Sequence, residues 1–363
     1  MKTLSILTIP ILTILYFPGL NGQLMDFDSL YQNDQAFKEQ IDSRPEFQDL
    51  FHSDEVIKLS IESDFKNLIK RKFKGEYQPA TFKYYLNDTV VVTREIKIKP
   101  RGNMRRKTCY FPPLMLNFPK KEAVINQIHD FDKMKMVLDC KRGNTYEQYL
   151  LSEYYAYKLY NIITDYSFRV RLFEITLIDT NEKMKDLKSY AYIIENVDQL
   201  AIRHNAIPIE TQNIRDDYTD LNTLSNGYLF QYLIGNTDWS IPGKHNIEII
   251  KSKDPTILTP HFIPYDFDYA GIVNTNYAVP DERLGIGTVR ERVYRGVCID
   301  ESYIHKAVKN FLDSKEKIYA LYNSSGMLDK NNLQSTLKYL DDFYEIIEND
   351  KTLRRNILEE CRE

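Results

Sequence analysis

Long apolar runs are missing beyond residue 17: after Leu4 to Phe17 no segment is apolar for long enough to cross a membrane, so no later span is expected. Tryptophan is nearly absent, with one residue against 27 tyrosines, and that surplus predicts half-buried rings with surface hydroxyls. No Gly-x-Ser-x-Gly and no Gly-x-x-x-x-Gly-Lys occurs, which removes the common serine hydrolases and the P-loop nucleotidases. Cysteine is limited to four residues with no Cys-x-x-Cys pair, so a structural zinc site is not expected. An excess of positive charge is also lacking: the net charge of −4 argues against nucleic acid as the main partner.

What is present at the N-terminus predicts export. Met1-Lys2 is a short basic start, Leu4 to Phe17 an apolar run, and Gly19 to Gly22 a set of small residues near a cut, which makes residues 1–22 a signal peptide. The mature protein is then expected in the periplasm or outside the cell, with no integral membrane segment. In that oxidising setting the four cysteines form disulfides, with three connectivities possible. Cys109–Cys140 and Cys298–Cys361 are favoured because each closes a local loop.

Residues 23–54 read as a polar arm. From 55 to 197 the pattern is β-rich with one long helix, and from 198 to 363 mainly helical. Strands are expected at Val56 to Ile61, Thr81 to Leu86, Val90 to Lys99, Leu114 to Phe118, Ser167 to Ile178 and Ser189 to Glu195, from alternating apolar residues. The first four predict an antiparallel sheet. Glu147 to Ile163 repeats its apolar positions with a helical period, and Thr219 to Gly235 does the same.

Chemistry concentrates between Asn236 and Gly271. Asp238, Asn246, Asp266 and Asp268 sit in aromatic or apolar sequence, and carboxylates in such surroundings call for a cation. Mg²⁺ takes a few carboxylate oxygens and completes its shell with phosphate and water, which suits this small set. Asp238 fits a carboxylate that orients an attacking hydroxyl, Asn246 a neutral oxygen ligand, and Asp266 with Asp268 the metal-binding pair. His245 is either a ligand, a base or hydrogen-bonded structure. Upstream, Arg101-Gly102-Asn103-Met104-Arg105-Arg106-Lys107 places four cations around one glycine, a turn able to hold phosphates. Lys99, Lys133 and Lys135 are the choices for a phosphate-binding lysine, and Glu147 or Glu153 for its partner.

The succession Lys99-Pro100-Arg101-Gly102-Asn103, Ile194-Glu195-Asn196-Val197-Asp198, Asn236-Thr237-Asp238 with His245-Asn246, and Tyr265-Asp266-Phe267-Asp268 resembles the CotH family of spore-coat and secreted atypical protein kinases. The resemblance implies an α+β, protein-kinase-like two-lobed fold, with an antiparallel β-sheet lobe and a mainly helical lobe. It implies transfer from ATP, with Mg²⁺ or Mn²⁺, to Ser or Thr hydroxyls of exported proteins. It also implies an adenine contact near Glu195, and gives Asp238, Asn246, Asp266 and Asp268 the roles already read from the residues. The sequence departs from that family at Tyr265, where Trp is usual, and at Pro112 to Leu116, where basic residues are usual. Two other readings stay open: a catalytically inactive surface or interaction protein, and a metal-dependent glycosyltransferase resting on Asp266-x-Asp268 alone.

Overall fold

A computed structural model describes residues 24–43, 49–119 and 133–363. The expected leader over 1–22 lies outside them, as do residues 44–48 of the arm. In chain order the strands are β1 (Met25–Asp26), β2 (Ile57–Ser63), β3 (Gln78–Tyr85), β4 (Val90–Pro100), β5 (Leu114–Asn117), β6 (Lys133–Leu138), β7 (Val170–Asp179), β8 (Leu187–Ile194), β9 (Ala206–Pro208), β10 (Ile247–Ser252) and β11 (His261–Pro264). The helices are α1 (Phe27–Asn33), α2 (Gln35–Asp42), α3 (Phe65–Lys70), α4 (Met104–Thr108), α5 (Asn144–Ile163), α6 (Val197–Arg203) and α7 (Leu221–Ile234). The C-terminal part adds α8 (Glu301–Asp313), α9 (Lys315–Asn323), α10 (Lys330–Ile347) and α11 (Asp350–Leu353).

The expected two-lobed kinase fold, with its antiparallel β-sheet lobe, is overturned. Strands β4-β3-β2-β7-β8-β6-β5 follow one another in that order, and β5 pairs back onto β4, so these seven close into a barrel. It is a mixed barrel, since β2 runs parallel to β7 from Ile57↔Phe173 to Ser63↔Asp179 while the other six pairings are antiparallel. Closure removes the edges that an open sheet leaves unpaired. Two features defeated the local reading. Strand β6 carries a weak alternation, and the β2–β7 pairing joins residues more than a hundred positions apart.

Alternation along the barrel wall divides the apolar residues between two cores. Ile61, Phe82, Ile98, Leu116, Met136, Ile175 and Ile193 fill the inside, while Val137, Leu172, Tyr192 and Ile194 face outward onto α5 and the C-terminal helices. Phe27, Phe37 and Ile41 of the arm helices join the inner core. Helix α5 runs between wall and helices and is buried almost all round, including Glu153. Among the described residues the tyrosines divide evenly between half-buried and buried positions, and Tyr157, Tyr160, Tyr192, Tyr228, Tyr322 and Tyr344 are fully buried.

Both disulfides form as expected, Cys109–Cys140 and Cys298–Cys361. The first ties the end of α4 to the end of β6, where Tyr110 N–H also donates to Cys140 O at 2.8 Å. The second ties the C-terminus to the strand-like segment at Val297, where Cys298 N–H donates to Arg362 O at 2.8 Å. Among the described residues no helix is long and apolar enough to cross a membrane.

Candidate functional site

A cleft of about 360 Å³ opens where the turn at the end of β4 meets the loops that follow α7 and β11. Arg101 to Arg105 and Pro113 form one wall, and Asp238, Lys244 to Asn246, Tyr265, Asp266, Asp268 and Tyr269 the other.

The first wall starts from a glycine. Gly102 has φ +81°, a conformation that L side chains rarely adopt, and the chain turns there directly into α4. That short helix points Arg105 inward, and the Cys109–Cys140 bridge holds its far end. Arg105 is buried: Nε donates to Asp268 Oδ2 at 2.8 Å, Nη2 donates to Glu153 Oε2, and Asp266 Oδ1 stands 3.8 Å from Nη2. Burial works against its charge, yet Asp268, Glu153, Tyr277 and Asp266 outweigh burial and hold the guanidinium well above its usual range. Glu153 is raised by burial against the pull of Arg105.

The second wall is delivered by a helix stop and a hairpin. Gly235 ends α7 at φ +65°, and a Cβ there would lie 2.1 Å from the Tyr339 hydroxyl, so only glycine fits. The chain then enters Asn236-Thr237-Asp238. Ser240 and His245 exchange backbone hydrogen bonds at 3.0 and 2.9 Å, which folds Asn246 back onto Asp238. Asn246 Nδ2 donates to Asp238 O at 2.8 Å and to Oδ2 at 3.0 Å, and His245 Nε2 lies 2.9 Å from Oδ1. Even so, the Asp238 side chain remains 41% exposed to the cleft. Arg295, beside the Cys298–Cys361 bridge, donates to Thr237 O and braces this loop from behind.

Pairing of β10 with β11 sets Asn246 beside Tyr265, whose N–H donates to Asn246 O at 3.0 Å. Asp266 follows with φ +63°, its N–H donating to the Tyr157 hydroxyl at 2.8 Å. Lys244 and Asn246 also have positive φ, so three non-glycine residues of the cleft adopt left-handed backbone. Burial and then Asp268 raise the Asp266 carboxyl above its ordinary range. Asp268 is buried, and its Oδ2 accepts from both Arg105 and, at 3.1 Å, the Tyr277 hydroxyl.

The expected residues therefore separate. The structure brings together Asp238, Asn246, Asp266, Asp268, Arg101 and, through Arg105, Glu153. Lys135 lies just behind, its Nζ 4.7 Å over the Tyr265 ring, and is lowered by burial and by Arg101. Lys99 is elsewhere, with Nζ 4.6 Å over Tyr77. Lys133 is exposed at the start of β6, and Glu147 is half-buried and raised by burial. Glu195 is fully buried, but its carboxylate accepts from Arg169 and Arg203 and its N–H donates to Arg169 O, away from the cleft.

Arg105 is the residue that reading by residue type passed over, although it lay within the basic turn. Expecting a lysine hid it; a buried glutamate on α5 looking for any cation would have found it. Lys244 was missed too, its Nζ paired with Glu210 at 2.5 Å and Glu248 at 3.6 Å.

Among the described residues no group of three Asp, Glu, His or Cys side chains is disposed to hold a metal ion. A phosphate-bridged Mg²⁺ needs fewer protein ligands than that. Asp266 suits the role, because its carboxylate lines the cleft under like-charge pressure from Asp268 that a cation would relieve.

No family model matches the sequence, and no curated protein matches it. Among solved structures the chain is similar to the crystal structure of a Helicobacter pylori proinflammatory kinase, CtkA, at 10% identity and a TM-score of 0.39, over 71% of this chain and 94% of that one.

Proposed function

We propose that this chain is an exported phosphotransferase that uses ATP with Mg²⁺ or Mn²⁺ to phosphorylate Ser or Thr hydroxyls of exported proteins. The observation that carries the reading is Arg105, buried between Glu153 and Asp268 at the inner end of a cleft walled by Asp238, Asn246 and Asp266. Phosphoryl transfer asks the protein mainly for position and charge: cations for the phosphates, oxygen ligands for the metal, and a carboxylate near the attacking hydroxyl.

The residues divide that work. Arg101 and the N–H groups of the Gly102 turn face the incoming phosphates, with Lys135 behind them adding positive potential. Arg105, fixed at Nε by Asp268, keeps the turn in register. Asp266 and Asn246 would hold the divalent ion, which supplies neutralisation of the charge on the phosphates. Asp238, oriented by Asn246 and His245, accepts a hydrogen bond from the substrate hydroxyl. The hydroxyl oxygen then bonds to the γ-phosphorus, the bond from that phosphorus to the β,γ-bridging oxygen breaks, ADP leaves, and the hydroxyl proton passes to Asp238. The two disulfides support the exported setting.

A second reading has one observation in its favour. Asp268 is taken up by Arg105 and Tyr277, which leaves Asp266, 3.8 Å from Arg105, as the more exposed carboxylate of the pair and suits a protein that binds nucleotide without transferring it. Thermal unfolding with ATP and Mn²⁺ or Mg²⁺, followed by transfer of labelled phosphate to a mixed protein substrate, separates the two. At a hundred times Kd a single-site ligand stabilises by about 2.7 kcal/mol. Stabilisation lost in Asp266→Ala, together with transfer lost in Asp238→Asn, is the expected result. Stabilisation without transfer selects the second reading. Stabilisation by sugar nucleotides but not ATP selects a glycosyltransferase instead.

A further inference from the structure

We infer that the barrel end beside the cleft is a docking surface for an acidic segment of the polypeptide substrate, an inference that rests on the proposed protein-directed transfer. The chain as a whole carries −4, yet residues 64–77 hold five Lys or Arg and residues 99–110 five more, against Asp64 and Glu76 alone. The fold joins these two stretches. Lys72 Nζ donates to Cys109 O at 2.7 Å, Lys99 lies over Tyr77, and Gly75 lies against the Arg106 guanidinium.

Several of these cations already have partners. Arg105 is buried in the cleft network, and Arg71 pairs with Glu76 at 2.5 Å. Among the described residues Lys70, Lys74, Arg106 and Lys107 have no carboxylate partner; the three lysines are exposed, and Arg106 Nε is buried without a hydrogen bond. Like charges gathered on two joined stretches are relieved by an anionic partner.

Exposed apolar side chains accompany the cations in both stretches, which favours a polypeptide as the anion. Phe73 is 62% exposed, Met104 47% and Tyr110 44%. Met104 also lines the cleft and is three residues from Lys107 on the same short helix. A chain whose hydroxyl lies at Asp238 would leave the cleft past Met104, towards the two joined stretches that carry Tyr110, Phe73 and the lysines. Acidic residues interspersed with apolar ones would match that succession, with charge setting encounter and register and the apolar contacts adding affinity.

The test is fluorescence anisotropy of a labelled Glu/Phe/Ser peptide without nucleotide, at low and high salt. Wild type should bind it, with affinity falling as salt screens the surface, and a Lys/Phe/Ser peptide should not bind. The surface variant Lys70→Glu/Lys74→Glu/Lys107→Glu should weaken binding about ten-fold or more. Phe73→Ala should weaken it several-fold at unchanged charge. Both variants should keep the wild-type unfolding midpoint and its stabilisation by ATP. Equal affinity in the triple variant overturns the inference. So does sedimentation of wild type with phosphatidylserine-containing vesicles while the acidic peptide stays free. Peptide binding without phosphoryl transfer defeats the proposed function and leaves the docking surface standing; transfer with an unchanged kcat/KM for the acidic peptide in the triple variant does the reverse.

Discussion

Two buried glutamates, each facing arginine, end in different states. Glu195 accepts from Arg169 Nε and Arg203 Nε at 3.0 Å on one oxygen, and from Arg169 N–H and Arg203 Nη2 at 3.1 Å on the other. Arg169 extends the network to Asp49 of the arm at 2.5 Å, so both carboxylate oxygens are met. Glu153 shares its one arginine with Asp268 and Asp266, and its Oε1 is buried with no donor in bonding geometry. The first arrangement fastens the arm and α6 to the barrel. The second sets three carboxyl groups around one guanidinium beside a cleft, so burial raises Glu153 and Asp266 where no partner of their own holds them charged.

The sharpest way to break the contrast is Arg105→Met. Removing the cation strands Glu153 and Asp268 in the interior, and a loss of about 3–5 kcal/mol is expected in chemical denaturation. Stabilisation by ATP should vanish with it. Replacing Cys109 and Cys140 together by Ala comes next, at about 3–4 kcal/mol for a separation of 31 residues. Because that bridge holds α4, the ATP effect should weaken, while the Glu195 network should not respond.

A third buried carboxylate sharpens the rule. Asp139 has a Ser189 hydroxyl where the others have guanidinium, and burial pushes it up to about 7. The folded state keeps its proton where the unfolded chain has released it, so stability should fall as pH rises from about 4 to about 7. Glu153 acts in the same direction, so Asp139→Asn should remove only its own share of that fall, at most about 4 kcal/mol. The smallest effect belongs to Glu195→Gln: Arg169 and Arg203 are partly exposed and can turn to water, so about 1–3 kcal/mol is expected. Stabilisation by ATP should survive that change. A larger loss at Glu195 than at Arg105 would reverse the comparison.

Local signals in the sequence were sufficient for most elements. Alternation marked β2, β3, β4, β5, β7 and β8, and helical period marked α5 and α7, because each buries a face whose period is written in consecutive residues. Closure of the barrel had no such signature, since the β2–β7 and β4–β5 pairings depend on what the wall encloses. At the cleft, the loop residues from Asp238 to Asp268 were legible because carboxylates in apolar sequence are rare enough to need a reason. Lys99 has no local signal of where it ends: along β4 it stands over Tyr77 and does not line the cleft. Glu195 pairs with Arg169, 26 positions away, which nothing in its own neighbourhood announces.

The parallel seam between β2 and β7 also sets an order of events. A chain appearing from its N-terminus must hold β2, β3 and β4 without their final partner until residues 170–194 arrive, so ring closure is a late, long-range step. Cys109 and Cys140 are both available well before that, and their bridge joins a short local loop. The covalent tie that positions Arg105 can therefore form before the barrel around it is complete, and refolding of the reduced chain should leave more molecules trapped with open β edges than refolding with the bridge intact.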